Sequence, residues 1–152
     1  MKIAIGSDHA AFKYKEEIIK LLKEENHEVI DMGIYEEIPV KDYASAEKVA
    51  LSVSKGECER GILMCGTGIA MSISANKIPG VRAALCHNLF TAEMTRLHND
   101  SNILVFGSRV TELGLAKEMV KKWLSTEFEG GRHIPRVEHM MLLDKKYRCS
   151  DN

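Results

Sequence analysis

Ile62-Leu63-Met64-Cys65-Gly66-Thr67-Gly68-Ile69-Ala70-Met71 changes character at its middle and carries its one thiol at the change. Ile62 to Met64 is a short apolar run of the kind that forms a strand buried on both faces. Gly66 and Gly68 break the run, and Ile69 to Lys77 then predicts a helix. Cys65 therefore falls at the carboxyl end of a strand, beside the unpaired backbone N–H groups of a helix start. The partial positive charge of a helix start favours thiolate over thiol. A buried free cysteine followed by a glycine turn accounts for the same residues, and the stretch alone does not choose between the two.

Working outward, the same strand-then-helix grammar repeats. Lys2 to Gly6 is a β-type run, and Phe12, Ile18, Ile19 and Leu22 follow at helical spacing up to Asn26. Val29 to Met32 is a second strand closed by Gly33, Ile34 to Tyr43 a loop, and Ala46, Val49, Ala50 and Val53 a second helix stopped by Gly56. Beyond Pro79-Gly80, Val81 to Cys86 reads as a fourth strand and Phe90, Met94 and Leu97 as one stripe of a helix. His98-Asn99-Asp100 reads as a loop leading to a fifth strand, Ile103 to Phe106. Leu113, Ala116, Met119, Val120 and Trp123 outline a helix that Thr111 is placed to cap. Glu129-Gly130-Gly131 then leads into a last helix, about 132–147, with Pro135 in its first turn. Five strands alternating with helices predict an α/β fold: a three-layer α/β/α, Rossmann-like arrangement around a five-stranded parallel sheet.

At 152 residues and 45% hydrophobic, residues 1–152 fit one domain. With 21 basic against 22 acidic side chains the net charge is −1, so no overall field draws nucleic acid or an anionic membrane, and any anion must be held locally. Cys58, Cys65, Cys86 and Cys149 show no CxxC pair and read as free thiols of a reducing compartment. Neither an apolar leader after Met1 nor a membrane-length apolar stretch is present, so the expectation is a cytoplasmic protein.

In a parallel sheet the working groups collect beyond the carboxyl ends of the strands. Ser7-Asp8-His9, Cys65-Gly66-Thr67-Gly68 and Gly107-Ser108-Arg109 leave three of those ends, although Asp8 could simply cap a helix and Arg109 be an ordinary surface arginine. Arg132 and Arg136, four apart, could share a face and grip an anion with Arg109, or form a solvated basic face. His98 is the candidate general acid or base, against a plain structural histidine. The six histidines have no zinc-finger or HExxH spacing, so a metal site fits poorly. A thiol phosphatase loop would need an arginine where Met71 stands, and Gly6-Ser7-Asp8-His9-Ala10-Ala11 is not a dinucleotide fingerprint. What remains is a thiolate base beside donors for a developing oxyanion, as proton transfer between neighbouring sugar carbons requires.

Six motifs in order make the chain resemble the type B ribose-5-phosphate isomerases, a family related to allose-6-phosphate and galactose-6-phosphate isomerases. They are Gly6-Ser7-Asp8-His9, Cys65-Gly66-Thr67-Gly68, Ala75-Asn76-Lys77, His98-Asn99-Asp100, Phe106-Gly107-Ser108-Arg109-Val110 and Gly130-Gly131-Arg132-His133 with Arg136-Val137. The resemblance runs from Met1 to about Tyr147. It implies an aldose–ketose isomerase of the pentose phosphate pathway that needs no metal or organic cofactor and interconverts D-ribose 5-phosphate and D-ribulose 5-phosphate through a cis-enediolate. It gives Cys65 the proton transfer between C2 and C1, and Thr67 with the backbone of Gly66, Gly68, Ile69 and Ala70 the enediolate. His98 would open the sugar ring, Asp8, His9 and Asn99 would bind its oxygens, and Arg109, Arg132 and Arg136 its phosphate. It further implies a homodimer with shared active sites, in some members paired into a tetramer, with the last helix packing on the partner subunit. Two positions depart from the family pattern: Ala70 replaces the last glycine of the loop, and Asp42-Tyr43-Ala44 only partly matches Asp-Tyr-Pro. A hexose phosphate isomerase acting on allose 6-phosphate or galactose 6-phosphate is the rival reading, and a non-catalytic sugar-phosphate sensor is a third.

Overall fold

The structure, a computed structural model, describes residues 1–147. Five strands, β1 (Lys2–Ser7), β2 (Glu28–Asp31), β3 (Arg60–Cys65), β4 (Ala83–Leu85) and β5 (Ile103–Gly107), form one sheet in the order β2-β1-β3-β5-β4. Every pairing is parallel, as the alternation of elements predicts.

The central strands are apolar along their whole length because both of their faces are covered. Side chains alternate between two cores. Ile3, Ile5, Ile62, Met64, Leu104 and Phe106 point to one face, where they meet α1 (Phe12–Glu24), α4 (Leu89–Asn99) and α5 (Leu113–Ser125). Ala4, Leu63, Cys65, Ile103 and Val105 point to the other and meet α2 (Ala44–Ser54) and α3 (Ile69–Ala75).

Polar side chains lock the joints. Lys15, only 1% exposed, reaches from α1 to both carboxylate oxygens of Asp31 at 2.8 Å and to the Ile34 carbonyl, fixing the loop after β2. Asn76, just past α3, exchanges hydrogen bonds with the Ala83 backbone at 2.8 and 2.9 Å and so ties that helix to β4.

Two local expectations fail. His98 and Asn99 are not in a loop but form the last turn of α4, which Asp100 ends by adopting a left-handed φ of 48°. Asp100 is held there by Arg82 at 3.0 Å and Arg96 at 2.8 Å. Thr111 does not cap α5; its backbone N–H turns back to the Gly107 carbonyl and its hydroxyl is buried without a protein partner. The last helix, α6 (Ile134–Tyr147), buries none of its residues against this body. It stands over the β4 edge across a cleft of about 390 Å³, touching down where Asp144 accepts the Gly80 N–H at 2.7 Å.

Candidate active site

The carboxyl ends of β1, β3 and β5 lie side by side, in register through Ser7 with Met64 and Cys65 with Gly107. Backbone bonds lace the loops that leave them: Asp8 N–H to Met64 O at 3.2 Å, Ser108 N–H to Cys65 O at 2.8 Å and Arg109 N–H to Gly66 O at 2.9 Å. Two glycines make this closeness possible. A Cβ on Gly107 would lie 2.5 Å from the Thr67 carbonyl carbon, and one on Gly68, whose φ is 79°, would lie 2.9 Å from Phe106 backbone. Within the loop the Gly68 N–H donates to Cys65 Sγ at 3.1 Å, holding the buried sulfur at the head of α3.

Around the sulfur stand groups of several kinds. The Arg109 side chain lies over the loop, with Nε and Nη1 both 3.4 Å from where a Gly66 Cβ would be. Thr67 and Ile69 are exposed, and Ala70 sits in the first turn of α3, a helical position that does not require glycine. Asp8 does cap the turn that follows it, through Oδ1 to the Ala10 N–H at 2.9 Å. Ser7 Oγ and His9 Nδ1 are buried there with no protein partner, and a ligand's oxygens are the kind of partner such atoms lack.

His98, Asn99, Arg132 and Arg136 do not join this rim in the same chain. α4 runs back along the sheet, so His98 and Asn99 lie at the amino end of β5, a strand of five residues and so ~16 Å long. The segment bearing Arg132 arrives at the same end through the Glu129 N–H, which donates to Leu97 O at 3.1 Å. The His98 and His133 rings stack there, centroids 4.2 Å apart and planes within 15°. Glu129 Oε2 lies 3.1 Å from His133 Nε2 and 4.0 Å from His98 Nε2. Burial holds the His133 imidazole below the usual histidine range; His98, Arg132 and Arg136 push the same way and Glu129 opposes them.

Ion pairing sorts the arginines. Among the described residues Arg60, Arg82 and Arg96 are largely buried and each is matched to a carboxylate. Arg109, Arg132 and Arg136 are exposed and form no ion pair among the described residues, although Arg132 Nε–H donates to His133 Nε2 at 3.3 Å. These are the same three that the sequence offers as candidate anion ligands, with a solvated surface role as the alternative. Glu129 and His133, by contrast, escape sequence reasoning, although the two glycines between them signal a tight turn that brings positions 129 and 133 face to face. With His98 they offer three ligand-type atoms within 4.8 Å of one another. The flanking guanidiniums oppose a cation there.

A model of the ribose/galactose isomerase family matches residues 3–140. Ribose-5-phosphate isomerase B of Escherichia coli is 48% identical over 147 residues, 95% of this chain and 97% of that protein. A putative sugar phosphate isomerase of Bacillus subtilis is 52% identical over 140 residues, covering 90% of this chain and 93% of its own length. Among solved structures, ribose-5-phosphate isomerase B of Clostridium thermocellum superposes with a TM-score of 0.94 at 51% identity, over 97% of this chain and 99% of that one.

Proposed function

The chain belongs to the ribose/galactose isomerase family, and from that footing we propose that it interconverts D-ribose 5-phosphate and D-ribulose 5-phosphate. It is an aldose–ketose isomerase of the type B ribose-5-phosphate class. The observation that carries this is near-complete coverage at about half identity to ribose-5-phosphate isomerase B of two bacteria.

In the reaction we infer, Cys65 takes the proton from C2 and returns it at C1. Thr67 and the backbone N–H groups from Gly66 to Ala70 hold the enediolate, an arrangement most effective when its donors are already fixed, as the lacing of this loop implies. Asp8, His9 and Asn99 bind sugar oxygens and His98 opens the ring. Arg109, Arg132 and Arg136 bind the phosphate, their guanidiniums, matched to no carboxylate among the described residues, fitting its oxygens.

The complete site draws on two copies of the chain. The groups at the thiol rim and those at the amino rim lie a strand's length apart, and α6 leaves Ile134, Leu142, Leu143 and Tyr147 exposed. Both features fit a homodimer in which the amino rim and last helix of one subunit meet the thiol rim of its partner. Three free cysteines, Cys58, Cys65 and Cys86, are in keeping with a reducing cytoplasm; Cys149 lies outside the described residues. No helix of the described residues is long and apolar enough to cross a membrane.

The test compares turnover of ribose 5-phosphate with that of allose 6-phosphate and follows exchange of the C2 proton in deuterated water. Exchange with a preference for the pentose is expected. A hexose preference above about tenfold, ~1.4 kcal/mol in the barrier, would reassign the substrate. Absence of exchange in folded protein would mean a sensor rather than an enzyme.

A further inference from the structure

We propose that Asp100 is a positioning residue for ring opening: it fixes where α4 ends, and so where the His98 imidazole stands. This rests on the reading of His98 given above. His98 lies in the last turn of α4, two residues before Asp100. The carbonyls of a last helical turn have no partner further along the helix, and such ends open more readily than helix middles. The His98 ring stacks on His133, centroids 4.2 Å apart, and forms no hydrogen bond among the described residues. Its placement is therefore set by the backbone that carries it.

Asp100 ties that backbone down with every polar atom it has. Oδ1 accepts from Arg96 Nη1 at 2.8 Å and Oδ2 from Arg82 Nη2 at 3.0 Å. Its carbonyl accepts from Arg82 Nε at 2.9 Å, and its N–H donates to Arg96 O at 3.2 Å. Bonds between a guanidinium and a carboxylate are the stronger, charge-assisted kind, and the planar fork of arginine fixes direction as well as distance.

The two arginines are themselves anchored. Arg96 also donates to Thr126 O at 3.2 Å and to Ser101 O at 2.6 Å, and the Arg82 N–H donates to Asn102 Oδ1 at 2.8 Å. Their side chains are only 6% and 17% exposed. The end of α4 is thus joined to the residue before β4, the residue before β5 and the residue after α5. Stopping a helix requires none of this. With φ at 48°, glycine would make the left-handed stop as well or better. What aspartate adds is the carboxylate, and the carboxylate is what aims the last turn.

The test separates ring opening from proton transfer on the intact protein. Ribose 5-phosphate is a closed ring in solution, whereas ribulose 5-phosphate, its C5 oxygen esterified, has no hydroxyl placed to close a five-membered ring on C2. Both sugars need Cys65 and only the first needs His98. Turnover of ribose 5-phosphate is therefore compared with exchange of the C1 proton of saturating ribulose 5-phosphate in deuterated water. A misplacement of ~1 Å can cost about 10²-fold. Asp100→Gly, which keeps the left-handed stop and loses the carboxylate, should lower kcat for ribose 5-phosphate roughly tenfold and leave C1 exchange within about twofold. Asp100→Asn, which also accepts the left-handed turn and keeps one accepting oxygen, should recover much of the loss. Arg82→Lys, which keeps the charge without the fork, should show the same split at roughly threefold. In a His98→Asn background Asp100→Gly should add less than about a further twofold. Equal losses for the two sugars, wild-type rates for both, or losses that multiply in the His98→Asn background would overturn the role of Asp100 and leave that of His98 standing. Full turnover of ribose 5-phosphate in His98→Asn alone would overturn the ring-opening assignment, and this proposal with it. Asp100→Gly leaves two largely buried guanidiniums without their carboxylate and should lower Tm; if it does not fold, Asp100→Asn and Arg82→Lys carry the same comparison.

Discussion

Serine at position 65 keeps the shape of cysteine and loses its acidity, so Cys65→Ser should bind sugar phosphate normally while turnover falls by roughly 10²-fold or more. Near-normal turnover would remove Cys65 from the base role. Arg136→Ala should act oppositely, raising KM about tenfold or more with a smaller change in kcat. A charge-assisted hydrogen bond contributes ~1.5–3 kcal/mol, and in the proposed site the one made by Arg136 serves binding rather than the reacting carbons. Cys65, Arg109 and their glycines were legible in the sequence because a strand's carboxyl end is marked by local pattern, an apolar run meeting Gly66, Gly68 or Gly107. Glu129 and His133 were not, because their partnership is made by a turn and by α4, and neither residue is unusual within its own segment. His98 was picked out for its chemistry and misjudged in conformation. Three polar residues in a row read as a loop, but His98 and Asn99 complete the last turn of α4, and Asp100 rather than His98 stops the helix.

At the level of elements, strand and helix positions followed from periodicity because each strand's alternate residues feed different cores and each helix buries one stripe. The cap of α5 did not follow. Thr111 has the right side chain, but the turn from Gly107 takes its backbone first, and Glu112 becomes the residue before the helix. The β3 and β5 loops depend on close backbone passage, and this gives a sharp test. Gly107→Ala would drive a methyl to 2.5 Å from the Thr67 backbone, so one of the two loops must move. A loss of about 1–3 kcal/mol is expected from such overpacking, a few degrees per kcal/mol in a chain of this size, visible as a lower Tm. Activity should fall further than stability, since the displaced segment carries the thiol's donors. A wild-type Tm and rate would show that the approach is loose enough to matter little.

For the whole molecule, the separation of the two groups of site residues has a direct readout. If the site is shared as proposed, a dimer of one Cys65→Ala chain and one Arg132→Ala chain carries both defects in one site and none in the other. Unfolding and refolding equal amounts together makes about half the dimers mixed, so about one quarter of all sites should regain activity while each parent treated alike stays nearly inactive. No recovery with mixed dimers verified would mean that both residues serve the same subunit. The proposal of a shared site comes from the resemblance in sequence. Periodicity alone could not, since it does not say at which end of the sheet a helix stops. A chain whose complementary surfaces lie at opposite poles faces a choice of assembly. Stacked end to end, copies would leave a bare thiol rim at one tip and a bare arginine rim at the other, and the stack could lengthen without limit. Laid side by side and antiparallel, two copies would satisfy both poles at once and leave nothing to recruit a third through those groups, so a geometry that divides the site in the proposed way would also stop the assembly from growing into a fibre.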